Sequence, residues 1–161
     1  MKTITKLVIA TLLISSYWMA GSAIAGDYYG KQKVVYHINY DDPKKQAGAL
    51  RNIQNHINAV GAENLDLKVV LHGNGLALLL EPDSLDKLKK FKHANANDKM
   101  TAKVTDLKGQ GVDFQVCANT VRGRKVDVES DLYDVDKADI VPSGVAEVAK
   151  LQQDGYAYIK P

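Results

Sequence analysis

The sequence predicts an α/β fold in three layers, α/β/α, around a mostly parallel five-stranded sheet. Two observations carry this expectation. Short apolar, β-branched runs of strand length recur along the chain, and between them the apolar residues repeat every three or four positions. Strands that alternate with helices are joined by right-handed crossovers, which make the strands parallel and cover both faces of the sheet.

The first strand is "KVVYHIN", 33–39. Asp41, Asp42 and Pro43 then open a helix, because proline suits the first helical turn. Ala47, Leu50, Ile53, Ile57 and Val60 make its apolar stripe, and Gly61 closes it at the position past the C-cap. The second strand, "LDLKVVL" at 65–71, runs into "HGNG" at 72–75. "LALLL" (76–80) is expected to be a short buried helix, since a glycine turn after a strand commonly starts one. A polar connection with helical fragments follows. Asn97 or Asp98 caps the next helix, where Met100, Val104 and Leu107 form the stripe and Gly109 the stop. The third strand is "VDFQVC", 112–117, and "ANTVRGRK" is a short helical turn. The acidic run between Asp127 and Asp139 is expected to be a solvated surface loop, without the regular spacing of a calcium loop. "DIV" at 139–141 is a short fourth strand. Pro142, Ser143 and Gly144 start a last helix with Val145, Val148, Ala149 and Leu151 facing inward, Gly155 ends it, and "YAYI" (156–159) is the fifth strand. There is no internal repeat and no low-complexity segment.

The N-terminus carries an export pattern. Lys2 and Lys6 are the only charges before Asp27, the apolar run "LVIATLLI" follows them, and Ala23 and Ala25 are small residues flanking a cut after Ala25. The run is too short for a membrane anchor, and Ser15 and Ser16 interrupt it. The expectation is therefore a signal peptide over 1–25 and a single domain over 26–161, located in the periplasm with no stable membrane anchor after processing. Removing the first 25 of 161 residues leaves 136, a usual size for one domain with one core. The 21 basic residues lose Lys2 and Lys6 while the 19 acidic ones lose none, so the mature chain balances at 19 against 19. Without a net field, a nucleic-acid partner is not expected.

Cys117 is the only cysteine. It cannot close an intramolecular disulfide, so the core must stand without one, and the thiol is buried and inert, bridged between chains, or reactive. In open parallel sheets the functional crevice lies beyond the carboxyl ends of the strands. Asn39 and Tyr40 end the first strand. His72, Gly73, Asn74 and Gly75 follow the second, Cys117, Asn119 and Thr120 the third, and Pro142 and Ser143 the fourth.

The chain resembles the DsrE/DsrF-like family of small α/β proteins associated with sulfur relay, and in particular its exported single-domain members. The stretches that carry the resemblance are "ALRNIQNHINAVG" (49–61), "VVLHGNG" (69–75), "LKGQGVDFQVCANT" (107–120) and "DIVPSGVAEVAKLQQDGYAYIKP" (139–161). It implies a parallel five-stranded sheet between helices and assembly into homo-oligomers, often trimers or hexamers. It also implies that Cys117 stands where the family's recurrent cysteine carries sulfur as a persulfide. A protein that donates or accepts that sulfur is then an expected partner.

Each site residue has a bland reading beside this one. Free cysteines at strand ends are often small hydrophobes. Asn119, however, is a good cap for a helical turn after Cys117, and a helix N-terminus favours thiolate. His72 serves as base or hydrogen-bond partner to the thiol, or merely bonds a loop carbonyl. His37 shares a strand face with Asn39. A zinc site of His37, His72 and Cys117 is conceivable, but no spacing demands it, so no metal is expected. Gly73 and Gly75 invite a nucleotide reading, yet a dinucleotide fingerprint needs a small residue where Leu78 stands, and no Walker-type lysine is present. No cofactor is expected, although the turn amides could hold a small anion. Arg122, Arg124 and Lys125 either pair with the acidic run or bring an anionic sulfur species to the site. Two functions follow. The first is sulfur binding or transfer through Cys117 with His72 and Asn119 in support and Asn39, Gly73, Gly75, Arg122 and Ser143 around the ligand. It does not require turnover. The second is a non-catalytic, homo-oligomeric small-ligand module in which Cys117 is packing.

Overall fold

The computed structural model describes residues 28–161; the expected signal peptide and its cut lie outside them. Five strands form one sheet, β1 (Gln32–Ile38), β2 (Leu65–Leu71), β3 (Asp113–Cys117), β4 (Ile140–Val141) and β5 (Ala157–Ile159), in the order β4-β3-β2-β1-β5. Every pairing in it is parallel. The last crossover jumps from one edge of the sheet to the other, which seats β5 beside β1.

Helix α1 (Pro43–Val60) starts where the sequence requires. The Asp42 side chain accepts from the Lys45 N–H at 2.8 Å, and Pro43 occupies the first turn. Its buried stripe is Gln46, Ala49, Leu50, Ile53, Ile57 and Val60, so Ala47 sits at the edge of the stripe rather than within it. Gly61 ends the helix at a φ of 91°, in the region that favours glycine. Helix α2 (Asp98–Gly109) is capped by Asn97 and buries Met100, Val104 and Leu107, as its spacing predicts.

These two helices cover one face of the sheet. Val34, Tyr36 and Ile38 of β1, Leu67, Val69 and Leu71 of β2, and Phe114 and Val116 of β3 point into that core. Each fully buried Leu or Ile there contributes about 1.5–3 kcal/mol of transfer free energy. Among the described residues the opposite face is covered by one long helix, α5 (Gly144–Gln153), whose Val148 and Leu151 pack on Val35 and Val70. Two expectations for α5 are corrected here. Val145 is 64% exposed and Ala149 is exposed, because only one narrow side of this helix meets the sheet.

Between β2 and α2 the chain is denser than its composition suggests. "LALLL" is not a regular α-helix. A 3-10 turn spans Gly73–Leu78, and Leu80 then bridges antiparallel to Leu132. Gly75 is buried under β1, where a Cβ would stand 1.9 Å from the Ile38 carbonyl oxygen, so only glycine permits that approach. The polar connection also buries Leu88, Phe91, Asn95 and Ala96.

Two short helices follow β3, α3 (Ala118–Arg124) and α4 (Val128–Asp131). The acidic run is not wholly a solvated loop. Asp131 is 1% exposed, accepting from the Ser84 hydroxyl at 2.7 Å and the Asp127 N–H at 2.9 Å and pairing with Lys87 at 2.5 Å. A carboxylate with that many donors is stable when buried.

Candidate functional site

Strand alternation decides what reaches the α5 side of the sheet. Val35 and Val70 point there, so His37, two residues on, does as well. His72 continues β2 in extended conformation (φ −142°, ψ 162°) and keeps the same alternation. Phe114 and Val116 face the other core, which leaves Cys117 on the α5 side. The carboxyl ends of three adjacent strands therefore deliver His37, His72 and Cys117 to one face.

The N-terminus of α5 closes over them. A Cβ on Gly144 would stand 2.8 Å from the His72 Cβ and 3.2 Å from the Cys117 Cβ, so both side chains pack against this glycine. Ser143 caps the helix, its hydroxyl accepting from the Ala146 N–H at 3.4 Å.

Cys117 is 4% exposed and forms part of the floor of a pocket of about 390 Å³. Its walls include His72, Gly73, Thr120, Lys90 and Arg124. Burial pushes the thiol pKa up. The Gly144 N–H, the Thr120 hydroxyl and N–H and the Asn119 N–H oppose this and hold it below an ordinary thiol's value. Thr120 suits its role because its oxygen already accepts the Gly73 N–H at 2.8 Å, leaving the hydroxyl proton for the sulfur. The donors come from two chain segments, the first turn after β3 and the first residue of α5.

The histidines form a chain. His37 Nε2 and His72 Nδ1 are 2.8 Å apart, and the two rings lie within 15° of parallel with their centres 4.7 Å apart. On its other side, His37 Nδ1 lies 2.9 Å from the Tyr158 hydroxyl, which β5 brings alongside. Burial, then the neighbouring His72 and Lys160, push the His37 pKa down to about 4. Burial and Lys160 lower His72 as well. Both rings are therefore neutral at neutral pH. Among the described residues, no group of three or more histidine, cysteine or acidic side chains is placed to hold a metal ion.

Two cations stand at the pocket wall. Lys90 Nζ donates to the Gly123 carbonyl at 2.6 Å. Arg124 donates to the Asn74 side chain at 2.6 Å and to the Lys90 carbonyl at 3.1 Å, and its guanidinium lies 4.3 Å from the centre of the Phe91 ring. Neither makes an ion pair within 4 Å of a carboxylate among the described residues, although the Asp41 carboxylate acts on Arg124 from farther off; both cations line the same pocket as Cys117.

Of the residues expected at the site, Cys117, His72, Gly73, Asn119 and Ser143 meet at this pocket. Asn119 contributes its backbone N–H, because its side chain is engaged by Arg122 at 2.6 Å. Arg122 is exposed and stands outside the pocket wall, as do Asn39 and the buried Gly75. Lys90, Thr120, Gly144 and the Tyr158–His37 pair were not expected in these roles. Thr120 could have been found as the residue three past Cys117, on the first turn of a helix.

The family model for the DsrE/DsrF-like family matches residues 33–161. Among solved structures, the chain is similar to a protein of unknown function, MTH1491, from Methanobacterium thermoautotrophicum. The two share 29% identity with a TM-score of 0.64, over 81% of this chain and 100% of the other. No curated protein matches the chain.

Proposed function

The chain belongs to the DsrE/DsrF-like family, and on that premise we propose that it binds or relays sulfur through Cys117. The observation that carries this reading is the setting of the sulfur: Cys117 lines the pocket where the N-terminus of α5 packs against it. The N–H groups of Gly144, Thr120 and Asn119 with the Thr120 hydroxyl hold its pKa below an ordinary thiol's despite its burial. Such donors stabilise a sulfur anion, whether thiolate or persulfide. In the forward step the Cys117 thiolate attacks the outer sulfur of a donor persulfide. A new S–S bond forms to Cys117, the donor's S–S bond breaks, and its electron pair leaves with the donor thiolate. The transferred sulfur brings its proton with it, and His72 lines the same pocket. Lys90 and Arg124 draw an anionic donor to the pocket.

The reading includes an exported protein, cut after Ala25, that assembles with its own copies as a trimer or hexamer. The cationic lead, apolar run and small residues support export. Among the described residues no helix is long and apolar enough to cross a membrane. The family resemblance supports assembly. N-terminal sequencing that begins at Met1, or light scattering that gives a monomer at micromolar concentration, would remove the respective element.

The test of the sulfur itself is mass spectrometry of protein purified from its own compartment. A persulfide or other sulfur adduct on Cys117 is the expected result. One observation favours the rival, a non-catalytic ligand-binding module: Cys117 is only 4% exposed. On that reading Cys117→Ser binds ligand as the parent does, and no adduct is found.

A further inference from the structure

From the contacts among Tyr158, His37 and His72, we infer that these three side chains form a proton path between the Cys117 pocket and the protein surface. Tyr158 and His37 are the positioning residues of that path, acting through His72. The inference rests on the thiol chemistry proposed for Cys117.

The geometry allows two arrangements and no others for neutral rings. A neutral imidazole has one N–H and one bare nitrogen. In the first arrangement His72 Nδ1–H donates to His37 Nε2, and His37 Nδ1–H donates to the Tyr158 oxygen. His72 Nε2, which has no partner among the described residues, is then bare and can accept a proton. In the second the Tyr158 hydroxyl donates to His37 Nδ1, His37 Nε2–H donates to His72 Nδ1, and His72 Nε2 carries the proton.

Passing from the first to the second moves one proton the length of the path. Cys117 and His72 line the same pocket and pack against the same glycine, Gly144, and there the thiol gives its proton to His72 Nε2. His72 Nδ1 gives one to His37 Nε2, His37 Nδ1 gives one to Tyr158, and the Tyr158 hydroxyl releases one to water. The S–H bond breaks with its electron pair left on sulfur, and no ring becomes a cation at either end of the process. Tyr158 is 41% exposed whereas His37 is 9% exposed, so the path starts in the pocket and ends in solvent. The low pKa of His37 fits a ring that passes protons on without storing them as charge. Lys160 acts on both rings and disfavours a cation on either. The second arrangement also leaves a donor facing the pocket when the sulfur is an anion, so ring tautomer and thiol ionisation are coupled.

The test is nitrogen-15 NMR of the imidazoles across a pH series, with thiolate absorbance followed in the same samples. His37 Nδ1 should change from pyrrole-type to pyridine-type with the same midpoint as the thiolate. In Cys117→Ser it should hold one type throughout. Tyr158→Phe keeps the ring but ends the path, so the thiolate should still form while His37 no longer follows it. Three results would overturn the inference: a His37 tautomer that stays fixed while the thiolate forms, coupling that survives Tyr158→Phe, or a thiol that never ionises in the folded protein. Coupled titration in a protein that never acquires sulfur would leave the path standing and remove the sulfur-relay reading instead.

Discussion

Gly144 and Cys117 are in such close contact that a Cβ on the glycine would stand 3.2 Å from the Cys117 Cβ. The same atom would stand 2.8 Å from the Cβ of His72, which is closer than side chains tolerate. Gly144→Ala must therefore push the start of α5 away from the sheet. The expected cost is about 1–3 kcal/mol of stability, the range for overpacking a filled site. The Gly144 N–H also withdraws from the sulfur, so the Cys117 thiolate midpoint rises. Denaturant unfolding and thiolate absorbance, measured on the same variant, check both effects.

Thr120→Val keeps the shape of the side chain and removes its hydroxyl. The Cys117 sulfur loses a side-chain donor while the Gly73 N–H loses its acceptor. A hydrogen bond to a charged group contributes about 1.5–3 kcal/mol, and one pKa unit corresponds to about 1.4 kcal/mol. The thiolate midpoint should rise by about one unit or more, and Thr120→Ser should restore it. An unchanged midpoint in Thr120→Val would mean that the hydroxyl does not serve the sulfur.

The histidine pair predicts an acid sensitivity of defined sign. The folded-state pKa of His37, about 4, lies below the ordinary histidine value, so the unfolded chain binds more protons between the two. Stability is then fully present above the ordinary value and falls as the pH drops toward 4, by about 1.4 kcal/mol for each unit of separation. His72 and His56 are lowered as well and add to the same slope. His37→Gln should flatten the stability profile in this window. Equal slopes for parent and variant would contradict it.

Asp131 ties the acidic run to the turn at Ser84. Asp131→Ala leaves the Ser84 hydroxyl and the Asp127 N–H without their acceptor, each costing about 1–3 kcal/mol if it stays buried and unpaired. The loss should appear as a lower denaturant midpoint at unchanged slope. Lys87→Ala should lower the midpoint as well, because Asp131 is 1% exposed and loses the cation that balances its charge.

The parts of the fold legible in the sequence are those set by local rules. Asp42 and Pro43 start α1, Gly61 stops it, and the stripe of α2 lies at Met100, Val104 and Leu107 because spacing alone fixes a helix face. Cys117 and His72 were legible for a similar reason, since each ends a strand whose apolar run is plain. The unread parts depend on contacts between distant segments. His37 owes its role to Tyr158, 121 residues away, and that pairing exists only because β5 crosses to the far edge and joins β1. Lys90 reaches the pocket through the fold of residues 81–96, whose polar composition hides the buried Leu88 and Phe91. Val145 and Ala149 were expected to be buried because apolar residues on a helix usually are. They face outward because, among the described residues, α5 is the one long helix on its side of the sheet and nothing packs on its outer surface there.

The state of the Cys117 thiol in the folded protein tests the account most directly. Its pH-dependent alkylation by iodoacetamide, with Cys117→Ser as the blank, reads accessibility and ionisation together. The donors from Asn119, Thr120 and Gly144 predict labelling of the native protein with a midpoint below that of a free cysteine, about 8.5. Reaction only after denaturation would show a buried, inert thiol and contradict the account.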